Sequence, residues 1–112
     1  MKEVRAYIKT HKLDEVTMAL HHVEGFTGMT VVEARGCGRS HAHGHHETAE
    51  DAVDYAPCVR VEIICADNLV DAVIEAIERH AHTGLRGDGK ICVLAVEQLI
   101  RVSSGERGEA AV

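Results

Sequence analysis

The chain has 112 residues, which is enough for one domain, and carries 12 Lys and Arg against 18 Asp and Glu, a formal net charge of −6. This acidic balance argues against nucleic acid as a partner, because phosphates require a basic surface. No segment approaches the run of about 18 apolar residues that a membrane helix needs, and the charged N-terminus does not resemble a signal peptide. We therefore expect a cytoplasmic protein with one domain over residues 1–112, without insertion into a membrane.

The first half of the chain predicts a strand, a helix and a second strand. Residues 2–9 alternate, with Val4, Ala6 and Ile8 on one face, as in a half-buried strand. Apolar residues recur at helical spacing over 12–23. The stretch "MTVVEA" (29–34) is rich in β-branched residues and favours a strand.

A long polar segment separates the two halves. Residues 36–56 are rich in Gly, His, Asp and Glu, and a loop of roughly twenty residues in so small a domain is usually functional or disordered. After it, "CVRVEIICA" (58–66) predicts a third strand in which alternate residues are apolar.

The second half repeats the order of the first. Asp67 is expected to cap a helix through its side chain, and this helix is expected to stop at Gly84, which suits a left-handed C-terminal turn. The stretch "ICVLAV" (91–96) predicts a fourth strand, and the polar tail "SSGERGEAAV" (103–112) is expected to be loose.

The predicted order is β-α-β-β-α-β. Right-handed crossovers then place both helices on one face of a four-stranded antiparallel sheet, which is an α+β, ferredoxin-like architecture. The other face is left uncovered, and its apolar residues suggest self-association. Those residues, or their neighbours, are Tyr7, Ile64, Leu94 and Val96. Cys65 and Cys92 lie in predicted strands and are expected to be buried.

The string "TGLRGDGK" (83–90) contains the G-x-x-x-x-G-K part of a phosphate-binding loop. Ile91 stands where a magnesium-binding Ser or Thr would be, and the loop precedes a strand, so no helix N-terminus would face the phosphates. Glycine amides and Lys90 could still bind an anion. A plain turn that needs glycine is the alternative.

Taken together, several strings resemble the PII signal-transduction proteins. The resemblance covers nearly the whole chain outside 40–56, and T-G-x-x-G-D-G-K is its most specific part. The strings are "KLDEV" (12–16), "GMTVVEARGCGR" (28–39), "VRVEIICADNLVDAVIEAI" (59–77), "TGLRGDGKICVL" (83–94) and "IRVSSGERGEAAV" (100–112).

The resemblance implies a homotrimeric, non-enzymatic regulator with an adenine nucleotide (ATP, ADP or AMP) in each cleft between subunits. Three loops would border that cleft: the T-loop at about 37–56, the B-loop at 83–90 and the C-loop at 101–105. The T-loop would dock on a partner, such as a membrane transporter. The implied nucleotide-binding positions are Thr30, Gly38, Arg39, Glu62, Ile64, Gly87, Asp88, Gly89, Lys90, Arg101 and Ser103.

The chain departs from the family pattern at several positions. Ser40 replaces a usual Gln that helps bind Mg-ATP and 2-oxoglutarate, and Cys58 replaces a usual Lys that pairs with 2-oxoglutarate. Ser103 replaces a second C-loop Arg, and the T-loop Tyr that many members have uridylylated is absent. We therefore expect 2-oxoglutarate sensing and uridylylation to be lost, and triphosphate affinity to be weakened relative to diphosphate or monophosphate.

The segment "HAHGHH" (41–46) falls in the T-loop. Its imidazoles suit Zn, Cu or Ni, and they could also respond to pH; a solvated loop without a physiological metal is the alternative. The candidate metal ligands are His41, His43, His45 and His46.

Cys37 and Cys58 flank the same loop and would be near each other if their strands pair. They are a candidate redox or metal-binding pair, although two small half-buried residues would look the same.

Three functions remain open on these grounds. The first is a nucleotide-responsive regulator of a transporter, in a metal-efflux or an inorganic-carbon setting, where bicarbonate could bind beside the phosphates. The second is a metal-tolerance module that uses the His-rich loop. An enzyme is the weakest reading, because no Ser-His-Asp or Cys-His arrangement is recognisable.

Overall fold

The computed structural model describes residues 1–38 and 55–112. Four strands and two helices follow one another in the predicted order. They are β1 (Lys2–Lys9), α1 (Leu13–His21), β2 (Thr30–Gly36), β3 (Ala56–Cys65), α2 (Val70–Ala81) and β4 (Lys90–Ala95). The strands form one sheet in the order β2-β3-β1-β4, with every neighbouring pair antiparallel. The ferredoxin-like prediction is therefore confirmed.

Strand alternation places the core between the sheet and the helices. In β1, Val4, Ala6 and Ile8 are almost fully buried, and the register pairs Val4 with Ile63 and Ala6 with Val61 of β3. Burying a side chain of this size contributes about 1.5–3 kcal/mol. The helices complete the core with Val16, Leu20, Val73, Ile77 and Ala81.

The sheet face opposite the helices, here called the open face, is more polar than the sequence suggests. At its centre Arg5 Nε lies 2.8 Å from Glu3 Oε2 and 3.7 Å from Glu62 Oε2, and Arg60 Nε lies 2.9 Å from Glu62 Oε2. Leu94 and the thiol of Cys92 are exposed at its β4 edge. The expectation that Cys92 is buried is wrong, because β4 is an edge strand and Cys92 pairs with Arg5 on the side without helices.

Asp67 does not cap α2 as the sequence predicts. It opens a short 3₁₀ turn (Asp67–Leu69), and its carboxylate lies 2.9 Å from the N-terminal nitrogen of Met1 and 3.4 Å from Lys2 Nζ. The ammonium group of Met1 holds the pKa of Asp67 below its usual value. The carboxylate thus pairs with cations at the start of β1 instead of with backbone amides of its own helix.

The C-terminal tail is folded back, contrary to the expectation of a loose segment. Ile100 and Arg107 form a β-bridge, and the Gly108 amide donates to the Leu99 carbonyl at 2.9 Å. A 3₁₀ turn follows (Gly108–Ala111). These backbone bonds satisfy groups that would otherwise need water, so the tail is held despite its polar composition.

Among the described residues, no helix has the length and apolar character required to cross a bilayer.

Gly89 shows how tightly the loop before β4 meets β1. Its φ is +107°, and a Cβ added there would lie 1.6 Å from the Tyr7 carbonyl oxygen. Gly84 has a similar φ of +80°, but its nearest atom, His82 Nε2, would be 3.9 Å away.

We therefore expect Gly89→Ala to prevent stable folding or to lower the free energy of unfolding by more than about 4 kcal/mol, because backbone atoms must move. Gly84→Ala is the matched control, with left-handed strain but open space, and should cost about 1–3 kcal/mol. Urea denaturation of both variants measures the difference. Equal destabilisation would contradict the close approach.

Candidate functional site

The glycine loop, residues 83–90, is organised around the carboxylate of Asp88. The Thr83 amide donates to Asp88 Oδ2 at 2.8 Å, the Gly84 amide donates to the same oxygen at 3.2 Å, and the Thr83 hydroxyl donates to Oδ1. Lys9 Nζ lies 3.3 Å from Oδ1. The carboxylate therefore closes the loop by bonding the residues where it begins.

These partners stabilise the charged form of Asp88. The hydroxyl and amide of Thr83, together with Lys9 and the Gly84 amide, hold the pKa of the carboxyl well below its usual range. The Thr83 hydroxyl oxygen also accepts hydrogen bonds from Lys9 Nζ at 3.2 Å and from the Leu85 amide at 3.0 Å. Asp88 is thus an anion at neutral pH whose oxygens are directed at the loop's own donors.

Backbone amides in the second half of the glycine loop are available to a ligand. Within the described part of the chain, the amides of Gly87, Asp88 and Gly89 donate no hydrogen bond. Gly87 has a φ of +83°, so the loop turns with glycine where a side chain would be strained. Lys90, the first residue of β4, is exposed and takes part in none of the ion pairs found among the described residues. Unpaired amides beside a cation form an anion-binding arrangement.

A cleft of about 630 Å³, here called the first cleft, separates this loop from the ends of β2 and β3. The glycine loop contributes five residues, β1 contributes three and the strand ends contribute six; they are Arg86, Gly87, Asp88, Gly89 and Lys90, then Tyr7, Ile8 and Lys9, and then Gly36, Cys37, Gly38 and Ala56 to Cys58.

Both cysteines of the candidate pair line the first cleft and are free thiols; Cys37 is exposed and Cys58 half-buried. The register pairs Cys58 with Ala34 and Gly36 with Ala56, so Cys37 lies three positions beyond the partner of Cys58. Cys58 Sγ leans towards Gly36, since a Cβ on that glycine would be 3.8 Å away. A bond or a shared metal between the two thiols stays a prediction.

Other predicted site residues line a second cleft of about 250 Å³ at the opposite end of the sheet. Thr30, Glu62 and Ile64 lie there beside Glu3, and Leu99 and Val112 of the folded tail close it. Thr30 and Glu62 are direct partners in the β2–β3 register. The tail, which the sequence predicts to be loose, is therefore a wall of this cleft.

Arg101 holds that tail in place. Its guanidinium donates to the Val112 carbonyl oxygen at 2.9 Å, and its Nε lies 3.5 Å from Glu106 Oε1. Its amide donates to the Glu106 carbonyl at 2.9 Å. Ser103 is exposed in the turn that follows Arg101.

The predicted nucleotide-binding residues thus fall into two groups within one chain. Gly36 at the first cleft and Thr30 at the second lie on β2 six positions apart, which corresponds to about 20 Å in an extended strand. The two groups therefore line separate clefts of one protomer. One protomer does not bring the two groups around a common ligand.

A further depression, of about 580 Å³, lies between α1 and α2 and contains none of the predicted site residues.

Five predicted site residues lie outside the described residues. They are Arg39, His41, His43, His45 and His46. Across 1–38 and 55–112, no group of three or more His, Cys, Asp or Glu side chains could hold a metal ion.

Lys9 and Arg86 both line the first cleft and are not among the site residues predicted from the sequence. Lys9 contacts both Thr83 and Asp88, which are more than seventy positions away in the chain. Alternation in β1 indicates only that Lys9 shares a face with Tyr7. The contact depends on β4 pairing with β1, which no local pattern reveals.

Comparisons with known proteins agree with the geometry. The family model described as "Nitrogen regulatory protein P-II" matches residues 1–106. The chain is 49% identical over 113 residues to the nitrogen regulatory protein P-II of Azospirillum brasilense, with 100% of both chains covered. It is 50% identical to that of Rhizobium meliloti and 46% identical to nitrogen regulatory protein P-II 1 of Escherichia coli, again with full coverage of both chains.

The contacts of Asp88 predict how stability depends on pH. Because its folded-state pKa is depressed, the carboxylate stabilises the fold above its unfolded pKa of about 3.9, and this contribution is lost as the pH falls towards the folded value. Asp88→Asn should therefore lower the free energy of unfolding at pH 7, and its difference from wild type should shrink below about pH 4.

Urea denaturation between pH 2.5 and 7 measures this dependence, with the exposed Asp14→Asn as control. A constant deficit of Asp88→Asn at every pH would refute the assignment.

Proposed function

Because the chain belongs to the nitrogen regulatory protein P-II family, we propose that it is a trimeric regulator that binds adenine nucleotides between its subunits. Nucleotide binding would set the conformation of loop 37–56, which acts on a partner protein. The observation that carries this proposal is the glycine loop, whose open amides and exposed Lys90 face a cleft large enough for a phosphate chain.

The first cleft suits phosphates. Amides of 87–89 supply donors without side-chain bulk, and Lys90 supplies a charge-assisted partner. The N-terminus of α2 does not contribute to this site, because α2 ends before the loop and its positively polarised end lies at its other end.

The second cleft suits a base and ribose. Ile64 offers apolar surface, the Thr30 hydroxyl can donate or accept, and Glu62 can accept from an exocyclic amino group. Arg5 and Arg60 already hold Glu62, so its carboxylate is oriented before a ligand arrives.

The separation of the two clefts supports assembly. Each holds half of what a nucleotide requires, and they lie at opposite ends of the sheet. A ring of subunits can place the first cleft of one protomer against the second cleft of its neighbour, because a head-to-tail interface can close into a ring. We take the number of copies, three, from the family resemblance. Arg101, which anchors the tail beside the second cleft, could then reach the phosphates across the interface.

The proposal also concerns the partner protein and the ions that would bind at the site and at the loop. We place a membrane transporter as the partner, with bicarbonate as a candidate second ligand at the phosphates. Binding of Zn, Cu or Ni by the His-rich segment 41–46 is a separate hypothesis, supported so far by ligand type alone.

Lys90→Gln tests the phosphate site. Isothermal titration of wild type with ATP, ADP and AMP should give saturable binding, and the variant should bind ATP about tenfold or more weakly, because a charge-assisted contact is lost. Lys12→Gln is the control, since Lys12 pairs with Glu15 on α1, away from both clefts. An absence of binding by wild type at millimolar nucleotide, or a monomer in light scattering, would overturn the proposed function.

The 2-oxoglutarate response is tested separately. Cys58 offers the first cleft a thiol and no positive charge, so adding 2-oxoglutarate with Mg-ATP should leave the ATP isotherm unchanged. Cys58→Lys should restore part of the response if that cation is what the site lacks, and Met18→Lys, exposed on α1 and outside both clefts, provides the control for adding a lysine. ATP-dependent binding of 2-oxoglutarate to wild type would show that sensing is retained.

A further inference from the structure

Lys9 occupies an unusual position between the glycine loop and the first cleft. Its ammonium lies 3.2 Å from Thr83 Oγ1 and 3.3 Å from Asp88 Oδ1, and its side chain is only 22% exposed. Its methylene chain passes Gly87, with Cε 3.9 Å from where a Cβ on that residue would be. One cation at the end of β1 thus touches the loop at its beginning, middle and end.

The loop also carries a charge that opposes its proposed ligand. The Asp88 carboxylate lines the same cleft as Lys90 and is ionised at neutral pH, so an approaching polyphosphate meets a like charge. Within the described residues, Lys9 and His82 form ion pairs with this carboxylate, and His82 Nδ1 lies 3.5 Å from Oδ2. Arg86 and Lys90 line the same cleft and are the same in every variant compared below. His82 is largely exposed, whereas the Lys9 side chain is packed against the loop.

We propose that Lys9 is a positioning residue of the nucleotide site, which neutralises Asp88 and holds its carboxylate against Thr83, so that the cleft can accept a polyphosphate. The proposal rests on the proposed function and adds a determinant of phosphate number. The charge of the Lys9–Asp88 pair, which is zero in the wild type, sets the ratio of ATP affinity to AMP affinity.

Substitutions that change this charge give the test. Lys9→Met keeps most of the side-chain length and leaves the pair at −1, so the ratio of ATP affinity to AMP affinity should fall about tenfold. Asp88→Asn leaves the pair at +1, and the ratio should rise. The double variant returns the pair to zero, and the ratio should come back to within about threefold of wild type.

The ratio of ATP affinity to AMP affinity distinguishes an electrostatic role of Lys9 from a purely structural one. If Lys9 only braced the loop, Lys9→Met would weaken ATP and AMP equally, and adding Asp88→Asn would weaken both further. Lys9→Arg keeps the charge and should keep the ratio. Should Lys9→Met fail to fold, Asp88→Asn alone decides the question through the direction of its change.

Titration calorimetry with ATP and AMP at fixed ionic strength provides the affinities, and Lys12→Met is the control for loss of a lysine outside the cleft. If the ratio of ATP affinity to AMP affinity is unchanged in Lys9→Met, or falls in Asp88→Asn, the role of Lys9 is overturned. The proposed function still stands in that case if the wild type binds nucleotide. If wild type binds no nucleotide, the proposed function fails first, and the role of Lys9 falls with it.

Discussion

The contact between Gly89 and the backbone of Tyr7 is the constraint on which the site depends. The pairing of Tyr7 with Lys90 begins β4 at the point where β1 is about to end, and Gly89 must pass against the Tyr7 carbonyl to reach it. With the loop held there, Lys9 is brought within reach of Asp88 and Thr83. A side chain at position 89 would move the loop away from β1 and separate the cations from the amides that share the first cleft.

The same sheet explains why one chain looks incomplete. Its helix-covered face forms a continuous aliphatic core, but the open face mixes an ion-pair network around Glu62 with apolar residues left uncovered at the β4 edge. Leu94 and Cys92, whose β1 partners are Glu3 and Arg5, are both exposed there. Burying such residues against a second copy would gain free energy, while the paired charges would give the contact a fixed orientation.

Local pattern predicted most of the fold, because alternation and helical spacing record burial directly. Val4, Val61 and Val73 were each assignable to the core from their neighbours in sequence. Three features could not be read from local periodicity, and in two of them the partners are distant in the chain. Asp67 turns to the ammonium of Met1, Arg101 folds the tail onto Val112, and Asp88 faces Lys9.

The sequence could predict many residues of the candidate site but not their positions relative to one another. The glycine loop and Lys90 follow from the motif, whereas the division between two clefts follows from β2 running from Thr30 at one to Gly36 at the other. The sequence does not show which cleft of a neighbouring protomer would face each group of residues, because that depends on the assembly.

The direction of α2 determines which groups can attract phosphates at this site. This helix ends at Ala81, immediately before the glycine loop, so its C-terminal end, which carries partial negative charge, lies towards the cleft. The favourable potential must therefore come from side chains, and Lys9 is already committed to balancing Asp88. Lys90, Arg86 and the glycine amides then supply the attraction on this side. Partly exposed charges are screened by salt more strongly than buried ones, so nucleotide affinity at this site should depend on ionic strength more steeply than at a helix N-terminus.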